Sequence, residues 1–159
     1  MIAVSNTSPL ILLHATARLE WLAVLFEAVW VPAAVLEELE AGQAEGYSVP
    51  DLRSMSFVHL VEPSRPPSEW LALDLGPGEL AAMSLALENP MHIVLLDDAL
   101  ARRVAEAAGL TVWGTLRLIL EAKSHGLIDQ VAPVLDALAE AGMWMSDDIR
   151  RRILRLARE

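Results

Sequence analysis

The stretch His92-Ile93-Val94-Leu95-Leu96-Asp97-Asp98-Ala99-Leu100-Ala101-Arg102 decides how this chain is read. His92 to Leu96 is a short apolar run without alternation, the pattern of a strand covered on both faces. An acidic pair follows at once. Ala99 to Ala108 then reads as a helix that ends at Gly109, a residue suited to a helix C-terminus. Strand, polar pair, helix is the grammar of a βα unit, and in open parallel sheets functional groups gather at the carboxyl ends of the strands.

Working outward, the same grammar recurs. Ile2 to Ser5 is a first strand, followed by Asn6-Thr7 and by Ser8-Pro9, a helix start with a hydroxyl and a proline in its first turn. Helical sequence is expected as far as Phe26. Ala28 to Val31 is a second strand, and Pro32 opens a helix with Val35, Leu36 and Leu39 on its apolar side. Residues 42–67 hold Gly42, Gly46, Pro50, Pro63, Pro66 and Pro67; one strand, Phe57 to Val61, is expected among them. Gly76-Pro77-Gly78 precedes a helix from Glu79 to Leu87. Beyond the decisive stretch come a strand at Thr111 to Trp113 and helices at Thr115 to Ser124, Ile128 to Ala141 and Asp147 to Arg158. Alternating strands and helices predict an α/β fold on a parallel sheet of four to five strands.

A length of 159 residues suits one domain, 1–159, with a real core. Hydrophobic residues make up 54%, well above the usual share, so either burial is extensive or part of the surface is apolar, a surplus that a homodimer would use. No run of about twenty apolar residues spans a membrane, and Met1 to Val4 enters strand-like sequence without a basic leader, so an intracellular, cytoplasmic protein is expected. The absence of cysteine excludes disulfides, zinc–thiolate sites and thiol catalysis. A net charge of -10 counts against general nucleic-acid binding at long range, although carboxylates gathered around cations reverse the local field. Arg150, Arg151, Arg152, Arg155 and Arg158 form a basic tail on this acidic body, suited to phosphate, an acidic partner or a second subunit.

Asn6, Glu38, Glu79, Asp97 and Asp98 come from separate segments that a parallel sheet can bring to one rim. Oxygen ligands of this kind suit Mg²⁺ or Mn²⁺, and a cation relieves the repulsion between clustered carboxylates. Each residue also has an ordinary role. Asn6 and Ser8 can cap a helix, and Glu38 among Glu37 and Glu40 can face solvent. Glu79 complements a helix dipole. Asp97 or Asp98 can be an N-cap, with Asp98 pairing to Arg102. His14, His59, His92 and His125 share no metal-ligand spacing. Trp21, Trp30, Trp70, Trp113 and Trp144 are scattered, as core or dimer-face residues are, and form no obvious stacking platform. Phosphate loop, dinucleotide fingerprint and nucleophile elbow are all absent. Receiver domains place their acidic pair after the first strand rather than the fourth.

Taken in order, these segments resemble the PIN-domain family. Val4-Ser5-Asn6-Thr7-Ser8-Pro9-Leu10 resembles its first motif, a strand ending in Asp-Thr-Ser. Val35-Leu36-Glu37-Glu38-Leu39 resembles the second, Gly78-Glu79-Leu80-Ala81-Ala82 the third, and Leu95 to Arg102 the fourth. Gly142-Met143-Trp144-Met145-Ser146-Asp147 is similar to the end of a prokaryotic branch that includes VapC-type toxins. The resemblance implies a three-layer α/β/α fold and a metal-dependent endoribonuclease. Asn6, Glu38, Glu79 and Asp98 would hold one or two Mg²⁺ or Mn²⁺ ions, with Asp98 favoured over Asp97 by motif spacing. It further implies RNA as substrate, an antitoxin as partner and a homodimer. Asn6 departs from the family's aspartate: it keeps an oxygen but loses a negative charge, so weaker metal binding is expected. The alternative reading is a PIN-like module that has lost turnover and acts through a protein partner.

Overall fold

The computed structural model describes residues 1–69 and 71–159; Trp70, expected among packing residues, lies outside them. Five strands form one parallel sheet: β1 (Ile2–Ser5), β2 (Ala28–Val31), β3 (Val58–Leu60), β4 (Ile93–Leu95) and β5 (Thr111–Trp113), in the order β3-β2-β1-β4-β5. Register places Val4 opposite both Trp30 and Val94. The chain therefore leaves β1 toward one edge of the sheet and later returns to build the other edge from β4. The carboxyl ends of β1 and β4 are the switch point, where a crevice opens between neighbouring crossovers.

Alternation along the strands sorts the core into two layers. Ala3, Val29, Val31, Ile93 and Leu95 face α1 (Thr7–Ala15), α2 (Trp21–Leu25), α3 (Ala33–Ala44) and α6 (Thr115–Ser124). Val4, Val94 and Leu96 face α4 (Pro77–Glu88) and α5 (Ala99–Ala107). Helices thus cover both faces of the sheet, giving the three-layer α/β/α arrangement. Ile119 of α6 gathers a smaller cluster with α7 (Ala132–Glu140) and α8 (Asp147–Leu156). Each fully buried leucine or isoleucine in these clusters contributes about 1.5–3 kcal/mol of transfer free energy, so the layered core and not helix propensity holds the elements in place.

Three expectations on element boundaries are corrected. The helix expected to run to Phe26 breaks after Ala15, where Ala17 takes a left-handed φ of 56°. That conformation costs a residue with a Cβ about 1 kcal/mol. The break lets Leu19, Leu22 and Leu25 all turn into the first core layer, and the burial outweighs the strain. The helix expected from Ile128 starts only at Ala132, with Pro133 in its first turn. The hydroxyl of Ser8 does not cap α1; Asn6 holds the N-cap position, and its side chain makes no capping hydrogen bond.

Candidate functional site

At the end of β1, the Asn6 N–H donates to Leu95 O at 3.2 Å, tying the start of α1 to β4. The Asn6 side chain is 3% exposed, and its Oδ1 is buried without a hydrogen-bond partner. An unpaired buried acceptor costs about 1–3 kcal/mol, and the lack of a cap interaction sets Asn6 apart from an ordinary N-cap asparagine.

Glu38 lies on α3, but unlike exposed Glu37 and Glu40 it is half-buried and fully engaged. Its carboxylate accepts from the Thr7 hydroxyl and, at 2.8 Å, from the Gly78 N–H. One side chain therefore ties the residue after Asn6 to the residue before Glu79. Solvation, its ordinary role among neighbouring glutamates, is set aside by these two bonds.

Glu79, in the first turn of α4, accepts from the Gly76 N–H at 3.1 Å. Burial raises its carboxyl above the ordinary glutamate range. The Gly76 bond opposes that shift, and the charges of Asp98 and Glu38 reinforce it. This repulsion places Glu79 within electrostatic reach of both Asp98 and Glu38.

The acidic pair divides its work. Asp98 is exposed and caps α5, accepting from the Ala101 N–H at 2.8 Å through Oδ1. Asp97 is half-buried and turns to β5, accepting from the Thr115 N–H and Oγ1, each at 2.7 Å. Burial raises the Asp97 carboxyl; the Thr115 bonds and the charge of Arg102 pull the other way. Among the described residues no ion pair joins Asp98 to Arg102. Instead Arg102 packs where a Cβ on Gly114 would lie 3.1 Å from its Nη1 and 3.2 Å from Asp97 Oδ1.

Glu79, Asp97 and Asp98 line a single open cleft of about 440 Å³, together with Ser8, Leu12 and Met143. Asn6 and Glu38 adjoin it through Thr7 and Gly78 without lining it. The donor set suits a hard cation in kind: carboxylates, plus an amide oxygen that has no protein partner. Among the described residues, however, no three His, Asp or Glu side chains converge on one metal position. Glu38 and Asp97 spend their oxygens on protein donors, which leaves Glu79, Asp98 and the Asn6 oxygen as the groups with free capacity. None of the four histidines lines the cleft: His14 meets Ser48, His59 is exposed on β3, His125 meets Glu121 and Ser124, and His92 packs edge-on against Trp30.

Sequence reasoning assigned no separate role to Thr7, Thr115, Gly78 or Gly114, and it expected Arg102 in a surface ion pair or on a phosphate. A signal existed for Thr115, since Gly114-Thr115 follows β5 as Asn6-Thr7 follows β1. None existed for Gly78, whose importance lies in the approach of another helix.

Fold and cleft define the class: a parallel α/β protein with acidic and amide side chains at its switch point. The sequence profile of the PIN domain matches residues 2–159, so the chain belongs to the PIN-domain family, which generally comprises nucleases. Among solved structures, a PilT N-terminus domain protein, SSO1118, from the hyperthermophilic archaeon Sulfolobus solfataricus P2 is similar at 14% identity and a TM-score of 0.49. That likeness covers 92% of this chain and 98% of the archaeal one. No curated protein matches the chain.

Proposed function

We propose that this chain is a metal-dependent endoribonuclease that hydrolyses RNA phosphodiester bonds at the cleft between the ends of β1 and β4. Two observations carry the reading: the Asn6 oxygen at the end of β1 is buried without a protein partner, and the charge of Glu79 in the adjoining cleft is disfavoured by burial and by its acidic neighbours. Both features cost folding free energy, and one divalent cation would relieve both. Membership of a family that generally comprises nucleases supports the same conclusion.

Asn6, Glu79 and Asp98 would hold Mg²⁺ or Mn²⁺, with Glu38 joining if it exchanges a protein donor for the ion. When bound, the cation supplies Lewis acidity to activate water and to offset charge on the phosphodiester. This chain's own groups do the positioning. Thr7 and Gly78 fix Glu38 between the starts of α1 and α4, and Thr115 holds Asp97 at the rim. A role as the toxin of a pair, restrained by an antitoxin, belongs to the same proposal. No helix among the described residues is long and apolar enough to cross a membrane.

The test is cleavage of single-stranded RNA in Mn²⁺ by the native chain beside Glu79→Ala. Cleavage by the native chain and its loss in the variant are expected; equal cleavage by both would overturn the assignment. A second reading rests on Asn6 itself, which supplies no charge where the family has aspartate: the native chain is then silent and acts through a protein partner. Cleavage that appears only in Asn6→Asp would establish it.

A further inference from the structure

Trp144 is 82% exposed, although a large aromatic side chain is ordinarily buried in a core or an interface. Its position is not accidental. Gly142 ends α7 in a left-handed conformation, φ 101°, and the Ser146 side chain accepts from the Ile149 N–H to start α8. The short connector between them is therefore anchored at both ends. Gly142 and Met143 of this connector form one wall of the acidic cleft. The same two residues, with Trp144, Met145 and Ala139, line an adjoining hollow of about 300 Å³. The two spaces share a wall: a group held on Trp144 lies beside whatever occupies the cleft.

We infer that the hollow at Trp144 is a nucleobase subsite, in which the indole stacks on a base of single-stranded RNA next to the phosphodiester held at the cleft. The inference rests on the nuclease reading and deepens it. An unpaired base offers a flat apolar face that stacks on an aromatic side chain whatever its sequence, and Met143 and Met145 supply polarizable walls. Continuity with the acidic cleft favours RNA over a second copy of this chain, because the hollow and the cleft share Gly142 and Met143. The helix that follows opens on exposed Asp147 and Asp148, the latter paired with Arg151; exposed Arg152 and Arg155 lie further along it and Arg158 just beyond its end. A phosphate chain that follows α8 past this acidic first turn reaches Arg152 and Arg155, the kind of cations single-strand binding uses.

The experiment measures anisotropy of a labelled single-stranded RNA bound to the full chain carrying Glu79→Gln, so that the RNA persists. Trp144→Ala and Trp144→Phe are compared in that background, and an abasic strand of equal length serves as a second probe. Trp144→Ala is expected to weaken RNA binding about tenfold, Trp144→Phe less than threefold, and neither to change binding of the abasic strand. Equal affinity of Trp144→Ala and its parent, or an equal loss on the abasic strand, overturns the inference. A change in oligomer size at unchanged RNA affinity does so too, and assigns the patch to a second copy. The two proposals separate cleanly: Trp144-dependent binding with no cleavage by the native chain leaves the subsite standing and removes the nuclease reading.

Discussion

The Gly78 N–H donates to Glu38 Oε1 at 2.8 Å, and a Cβ on Gly78 would lie 2.6 Å from Glu38 Oε2. The carboxylate of α3 occupies the space that any other residue would need at the start of α4. Alanine in a helix is ordinarily more stable than glycine by up to about 1 kcal/mol. Here the overlap with a hydrogen-bonded carboxylate costs more, about 1–3 kcal/mol as in other overpacked sites. Gly78→Ala should therefore lower the melting temperature by several degrees and displace Glu38. A melting temperature at or above that of the native chain would show that Glu38 moves away freely.

Thr115 gives Asp97 two hydrogen bonds while burial disfavours the aspartate charge. Thr115→Val keeps the shape and removes the hydroxyl donor, leaving a half-buried carboxylate with the backbone bond alone. A loss of about 1–3 kcal/mol is expected by urea denaturation at neutral pH. The loss should shrink toward pH 4, because a protonated Asp97 needs the donor less.

Glu79 sets a stability slope with an unusual sign. Its folded-state carboxyl is raised above the ordinary value of 4.5, first by burial and then by Asp98 and Glu38. The folded state thus holds this proton more tightly than the unfolded chain does. The favourable contribution is complete below 4.5 and is lost as pH rises through the folded-state value, so metal-free protein carries a penalty at neutral pH. Glu79→Gln should melt higher than the native chain at pH 7 without divalent ions, with the gap closing toward pH 4. Identical melting curves across that range would contradict it.

Metal should reverse that ranking. Ligand binding to the folded state stabilises by mass action, about 2.7 kcal/mol at a hundredfold excess over Kd. Mn²⁺ should raise the melting temperature of the native chain by several degrees, with reversal by a chelator, and leave Glu79→Ala unmoved. Asn6→Asp should shift the midpoint of the titration to lower Mn²⁺, since it adds a negative charge at a buried oxygen that already lacks a partner. No response in any of the three would remove the cation from the site.

How much of this was legible beforehand follows from which forces are local. Ile2 to Ser5, Ala28 to Val31, Thr111 to Trp113 and Thr115 to Ser124 were readable to the residue, because apolar runs and helix-start residues act within a few positions of themselves. Asp97 and Asp98 at a strand end were readable for the same reason. Their division of labour was not, because it depends on Thr115 arriving from β5, eighteen residues away. The helix break at Ala17 and the exposure of Trp144 were equally hidden, since both follow from which neighbours the core admits.

By itself, then, the sequence determined a parallel α/β chain with oxygen-bearing side chains following its first and fourth strands, because periodicity and strand-end polarity are written in adjacent residues. Only the tertiary structure decided that β1 and β4 lie side by side, so that their ends form one crevice. It alone decided that Glu38 is captured by Thr7 and Gly78, and that Asn6 keeps an oxygen free. Those outcomes depend on strand order and helix approach, which are settled by burial across the whole core and not by any single segment.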